Sequence, residues 1–318
     1  MSLNEFSLIE RFFGDTGSSP YPALLSQGDD AAVIEIPHGM QAVMSMDTLI
    51  CDVHFPAQTS ATDIASKALA VNLSDLAAMA ATPAWFMLSL SLPDYDESWL
   101  RAFSDSLKRS ADQYQVELIG GDTCRGPLSV TVQITGLVEA GCQVTRHGAR
   151  AGDKILVSGT LGNASMGLAQ LQQEIQLPEA TRAHCLSALN QPIPRLELGD
   201  LLSRYASAAI DLSDGLVGDL GHILDRSGVG ARIRQADLPA NQWLVENNAY
   251  HHALYGGDDY ELCFTLPRQY QSVMMQWNLD NPDCLLTEIG EITDSNYTLV
   301  EGDQLIDLSD RQGYRHFG

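Results

Sequence analysis

The chain has 318 residues, 45% hydrophobic and 19% charged, with 41 acidic against 18 basic side chains and a formal net charge of −23. Such an acidic balance excludes a nucleic-acid backbone or an anionic membrane surface as partner, since both need clustered Lys and Arg. An anionic substrate would have to be bridged to the protein by metal ions. The opening MSLNEFSLIERFF carries acids early and no cleavable apolar run, and no 18-residue apolar stretch follows, so neither a signal peptide nor a membrane span is expected. Six dispersed cysteines without a CxxC pair suit reduced thiols in the cytoplasm better than a disulfide framework or a zinc site. The length suggests two domains, or one large one.

In chain order, Phe6, Ile9 and Phe13 stand at helical spacing and predict a short amphipathic helix over 4–13. Gly28-Asp29-Asp30 precedes an apolar run, 31–34, that reads as a strand, although Gly-Asp also signals a plain turn. An apolar strand over 41–46 leads to Asp47 at its end, and His54 follows beside Phe55. Residues 62–79 form an Ala-rich helix expected to run to about Ala81 and to be stopped by Pro83. Between Lys67 and Asp94 its Asp75 is the one charged side chain, three residues from Asn72 and therefore on the same helical face. WFMLSLSL, 85–92, reads as a buried strand, and Leu100, Phe103, Leu107 and Ala111 mark an amphipathic helix over 98–114. A strand over 116–119 then runs into Gly120-Gly121-Asp122, where paired glycines would let backbone N–H groups approach an anion. The alternating SVTVQITGLV, 129–138, is another strand.

The glycine-rich, locally basic stretch 146–153 is the expected boundary, giving domains 1–145 and 146–318. Beyond it come a strand over 154–158, a helical run from 165, a helix over 195–205, and the stretch AAIDLSDGL, 208–216. There a strand ends in Asp211, Ser213 and Asp214, and the helix that Gly215 opens has an N-terminus that attracts phosphate oxygens. Gly256-Gly257-Asp258-Asp259 leads through Glu261 into a strand over 263–266. No phosphate-loop or three-glycine dinucleotide fingerprint occurs.

Asp30, Asp47, Asp75, Asp122, Asp211 and Asp214 recur beside Gly, Ser or apolar runs. Each alone reads equally as a cap, a turn or a solvated side chain. Gathered in one place, six carboxylates would need cations, because their repulsion raises their pKa values. Oxygen ligands without His or Cys choose Mg²⁺, Mn²⁺ or Ca²⁺, and Mg²⁺ shares its ligands with substrate phosphates. Phosphoryl transfer is the chemistry that follows.

The motifs GDDAAV (28–33), SMDTLICDVHF (45–55), NLSDLAAM (72–79), GGDT (120–123), DLSDGL (211–216) and GGDDYELCFT (256–265) resemble, in order, those of the thiamine-monophosphate kinase family. The resemblance implies ATP-dependent phosphorylation of thiamine monophosphate to thiamine diphosphate, by direct in-line transfer with several Mg²⁺ ions. It implies an α+β, two-domain fold like that of aminoimidazole ribonucleotide synthetase (PurM-like), with N-terminal sheets pairing across a homodimer. It also implies that Asp30, Asp47, Asp75, Asp122, Asp211 and Asp214 hold metal, with Ser45 and the backbone of Met46. Gly121, Asp122, Arg146 and Ser213 would hold ATP, and His54, Glu261 and Phe317 would border the thiamine phosphate. Met46 stands where the family often has Thr, and Asp258 where it usually has Glu. Other ATP-using members of the superfamily, or a non-catalytic cation binder, are the alternatives.

Overall fold

The computed structural model describes residues 5–14 and 16–309. The chain divides into two units. The first comprises the residues up to Leu76 and Ala81–Gly141; the second, Ala77–Ala80 and the residues from Cys142 onward.

The first unit contains α1 (Glu5–Phe13), β1 (Met40–Ile50), α2 (Ala61–Ala78), β2 (Thr82–Leu92), α3 (Glu97–Gln113), β3 (Glu117–Arg125) and β4 (Ser129–Glu139). Its four strands lie in the order β1-β4-β2-β3, antiparallel except for the β2–β3 pair, which α3 connects as a crossover. The spacing of Leu100, Phe103, Leu107 and Ala111 has its physical outcome here: all four are fully buried, and Asp96 caps α3 by accepting from Ser98 N and Trp99 N.

Several boundaries differ from the sequence expectation. Residues 31–34 form no strand; Val33 makes only an isolated bridge with Leu25. Asp47 lies inside β1 rather than at its end, paired with Val132. α2 stops at Ala78, before Pro83. Its end is a Schellman turn: Ala80 sits at φ 56, Ala80 N donates to Ala77 O and Ala81 N to Leu76 O. Pro83 is tolerated inside β2 because the register shifts there, between Pro83 and Trp85. β3 does not end at the glycine pair but runs through it to Arg125. Gly121 is required at that point: at φ 152, an added Cβ would stand 1.8 Å from Leu88 O of β2.

The second unit contains β5 (Lys154–Ser158), α4 (Asn163–Leu171), α5 (Glu179–Asn190), α6 (Gly199–Tyr205), β6 (Ala208–Asp211), α7 (Leu216–Ser227), β7 (Gly230–Arg234), α8 (Gln242–Glu246) and α9 (His251–Tyr255). It continues with β8 (Leu262–Leu266), α10 (Gln271–Asp280), β9 (Leu286–Thr293), β10 (Tyr297–Glu301) and β11 (Gln304–Asp307). The expected helix over 195–205 is a 3₁₀ turn, Leu196–Leu198, followed by α6. The seven strands lie in the order β11-β10-β7-β9-β5-β8-β6. The short apolar strands at one side of this sheet are covered on both faces, as their unbroken hydrophobicity demands. Ile155, Val157, Ala208, Ile210 and Cys263 pack with Leu216, Leu220 and Ile223 of α7. Leu156, Ala209 and Phe264 face the other way, onto Leu201 and Leu202 of α6. His252 is buried in this unit, its Nδ1 2.8 Å from Ser165 Oγ.

Gly121→Ala should lower stability by about 3 kcal/mol, read as a fall in the urea midpoint, because the clashing atom is backbone. Burial, with His251 adding, pushes the His252 imidazole down from 6.5 to about 4. Its contribution is therefore complete above pH 6.5 and is lost as pH falls toward 4. Wild type should lose on the order of 3 kcal/mol more than His252→Asn across that window, measured by urea unfolding at each pH.

Candidate active site

Strand periodicity puts Ser45 and Asp47 on one face of β1, and α2 lies against them. Ser45 Oγ donates to Asp75 Oδ2 at 2.5 Å. The backbone N–H of Asp47 donates to Asn72 Oδ1 at 3.1 Å, and Asn72 Nδ2 donates in turn to Ala68 O. The shared helical face of Asn72 and Asp75 thus has its cause in β1. Met46 alternates to the opposite face and is 64% exposed, so only its main chain stays with Ser45 and Asp47. His54 follows the strand: its Nδ1 accepts from Ile50 N at 3.0 Å. That bond makes Nε2 the ring nitrogen that carries the proton.

The other N-terminal acids stand elsewhere. Register aligns Asp47, Val132, Leu88 and Gly121 in one row across the sheet. Three inter-strand steps of roughly 4.8 Å separate Asp47 from Gly121 by about 14 Å. Asp122 belongs to the next row, with Ser89, Thr131 and Thr48, and so points to the face opposite Asp47. There Asp122, Gly121 and Asp30 line a cleft of about 920 Å³ together with Phe13, Met87 and Glu117. Asp30 is exposed, and its N–H donates to Asp29 Oδ1. Within one first unit, therefore, the expected gathering of carboxylates does not occur: Ser45, Asp47 and Asp75 form one group and Asp30, Gly121 and Asp122 another. Alternation along paired strands is the reason.

The second unit brings Arg146 near Asp211, Ser213 and Asp214 in space although it is distant in sequence. Ala209 N donates to Thr145 O at 3.1 Å, which lays the segment before Arg146 along the open edge of β6. β6 ends in the buried Asp211; Ser213 and Asp214 follow, half-buried. The turn is held from two sides. Leu212 N donates to Glu261 O, Tyr260 N to Leu212 O and Asp258 N to Ser213 O. From below, Asp219 Oδ2 accepts the N–H groups of Asp214 (3.0 Å) and Gly215 (3.1 Å). Those two donors therefore serve an internal carboxylate, whereas the first-turn N–H groups of α7, from Leu216 onward, are not among its partners. Burial pushes the Asp219 carboxyl up to about 7, the charge of Asp214 adds to this, and the two N–H bonds and Arg146 oppose it.

Glu261 is 7% exposed. Arg195 grips its carboxylate with a planar fork, Nε to Oε2 at 2.7 Å and Nη2 to Oε1 at 2.5 Å. Ser158 Oγ donates to Oε2 and accepts from Leu262 N. Gly159 has to be glycine beside this pair, for its Cβ would stand 2.0 Å from Glu261 Oε1. Burial works against the charge of Arg195, yet its bonds to Glu261 hold it protonated more firmly than usual. Arg195 and Asp219 escaped the sequence reading. Nothing local announces a pairing between positions 195 and 261, whereas an acid in the first turn, as at Asp219, is a general helix-start signal. Phe317 lies outside the described residues.

Among the described residues no group of three or more His, Cys, Asp or Glu is arranged to hold a metal ion, and no helix is long and apolar enough to cross a membrane. Residues 28–138 match the family of AIR synthase related proteins, N-terminal domain, and residues 150–301 its C-terminal domain. The thiamine-monophosphate kinase of Salmonella typhimurium is 49% identical over 272 residues, covering 84% of each chain. The crystal structure of thiamine-monophosphate kinase from Stenotrophomonas maltophilia K279a superposes with TM-score 0.84 at 44% identity, over 94% of this chain and 97% of that one. AaThiL complexed with AMPPCP and TMP matches with TM-score 0.77 at 31% identity, over 91% of each. These matches in sequence and fold span both units, and the chain belongs to the thiamine-monophosphate kinase family.

Proposed function

We propose that the chain transfers the γ-phosphoryl group of ATP directly to thiamine monophosphate, yielding thiamine diphosphate and ADP. The observation that carries this is the likeness to AaThiL, which shares the fold at 31% identity and is complexed with AMPPCP and TMP. A phosphate oxygen of thiamine monophosphate attacks the γ-phosphorus as the bond to the β,γ-bridging oxygen breaks, in line, with no covalent enzyme intermediate. Such transfer rests on positioning and charge neutralisation. Arg146 and Ser213, with Gly121 and Asp122, hold the nucleotide. His54, Glu261 and Phe317 border the thiamine phosphate, and the Nε2–H of His54 suits a phosphate oxygen. Glu261 meets the substrate only through lone pairs that Arg195 and Ser158 leave over.

The residues fit Mg²⁺. The donors are all oxygens: Asp30, Ser45, the Met46 carbonyl, Asp47, Asp75, Asp122, Asp211 and Asp214. They stand in small groups, without a ready-made cage among the described residues. An ion with so few protein ligands completes its shell with waters and phosphate oxygens, the habit of Mg²⁺. When bound it neutralises the triphosphate charge.

A homodimer through the N-terminal sheets belongs to the same proposal. β1 is an edge strand, and one sheet face exposes Met44 (66%), Met46 (64%), Met87 (41%) and Ile50 (40%). A second sheet laid on that face covers these side chains. The cytoplasm is its expected location, in keeping with six unbridged thiols.

Incubation with MgATP and thiamine monophosphate should give ADP and thiamine diphosphate in equal amounts; turnover of unphosphorylated thiamine instead would reject the assignment. Asp75→Asn should lower kcat by about 100-fold or more with an unchanged melting temperature. Arg146→Ala should raise the KM for ATP by about tenfold and leave that for thiamine monophosphate nearly unchanged, in steady-state kinetics. Met44→Lys with Met46→Lys should convert a dimer to a monomer in light scattering.

A further inference from the structure

Much of the backbone of the turn 211–215 is engaged within the protein. Its groups Leu212 N, Leu212 O and Ser213 O pair with the segment Asp258–Glu261. Its last two N–H groups, of Asp214 and Gly215, converge on Oδ2 of Asp219. Gly215, the residue before α7, has no side chain to cap the helix and sits at φ 106, where an added Cβ would stand 2.8 Å from the Tyr255 backbone. Asp219 reaches back from inside the helix, one turn on, to these two preceding N–H groups, and is only 3% exposed.

We infer that Asp219 is a positioning residue: by holding the N–H groups of Asp214 and Gly215 it sets the turn in which Ser213 and Asp214 meet a metal–nucleotide complex. The inference rests on the function proposed above. A carboxylate oxygen shared by consecutive N–H groups fixes the peptide planes on either side of Asp214, and with them the direction of its side chain. Without it those donors would turn to solvent or to phosphate, and the acid would lose its aim. Asp219 itself lies behind the turn and acts only through it.

The test compares wild type with Asp219→Ala, Asp219→Asn and Asp219→Glu. The readouts are Mn²⁺ binding by electron paramagnetic resonance, the thermal shift given by MgATP, and KM and kcat for both substrates. Asn keeps a carbonyl acceptor at the same reach, so its MgATP and Mn²⁺ constants should stay within about twofold of wild type. Ala removes the acceptor and Glu overshoots by one methylene; both should weaken Mn²⁺ and MgATP about tenfold, with the KM for thiamine monophosphate within about twofold. A folded Ala or Glu variant that binds Mn²⁺ and MgATP as wild type does overturns the inference. So does an equal loss for both substrates that tracks a lowered melting temperature, the mark of a merely structural residue. Should the Ala variant not fold, the Glu and Asn variants decide by the same criteria. A wild-type chain that binds MgATP but leaves thiamine monophosphate unchanged rejects the proposed function, and the Mn²⁺ and MgATP readouts still judge Asp219.

Discussion

Four strands in the order β1-β4-β2-β3 set Asp47, Val132, Leu88 and Gly121 in one row, and that row decides which carboxylates of the first unit can share an ion. Alternation along each strand then sends Asp47 toward α2 and Asp122 to the other face. Strand order and alternation keep Asp47 and Asp122 apart. The fold carries the acids of this unit as small separated groups. The same geometry leaves the open face of the sheet apolar at Met44, Met46 and Met87.

In the second unit charge is managed by pairing. Glu261 and Arg195 form a buried pair whose loss on one side would strand the other charge, the situation in which such pairs matter most. Asp219 is held by backbone dipoles instead, with Arg146 near enough to favour its charged form. Both arrangements keep a carboxylate fixed beside residues of the proposed site. Both are built from residues distant in sequence or hidden inside a helix.

The elements with clean periodicity were legible in the sequence. The helical spacing of Leu100, Phe103, Leu107 and Ala111, and the alternation over 129–138, correspond to α3 and β4. Boundaries failed where punctuation residues served tertiary structure. Pro83 sits within a strand because a register shift excuses its missing N–H. The pair Gly120-Gly121 is a close approach between strands rather than a strand end. Ala80 ends a helix in a conformation ordinarily left to glycine. The motif residues could be named from sequence, but their grouping could not, for strand order is a property of pairing over long separations. Asp75 and Ser45 are thirty positions apart and in contact, whereas Asp47 and Asp122 occupy opposite edges and faces of one sheet.

The acid inside α7 has a consequence for the form of nucleotide this chain can accept. A helix start ordinarily offers a partial positive charge to phosphate. Here the side chain of Asp219 occupies the N–H groups of Asp214 and Gly215 just ahead of that start, and Asp211 and Asp214 stand at the same turn. On the function proposed above, these acids would favour a cation-loaded nucleotide over uncomplexed ATP at this turn. In that reading one helix end would discriminate between the metal complex and the bare tetra-anion, and surplus free ATP would compete weakly.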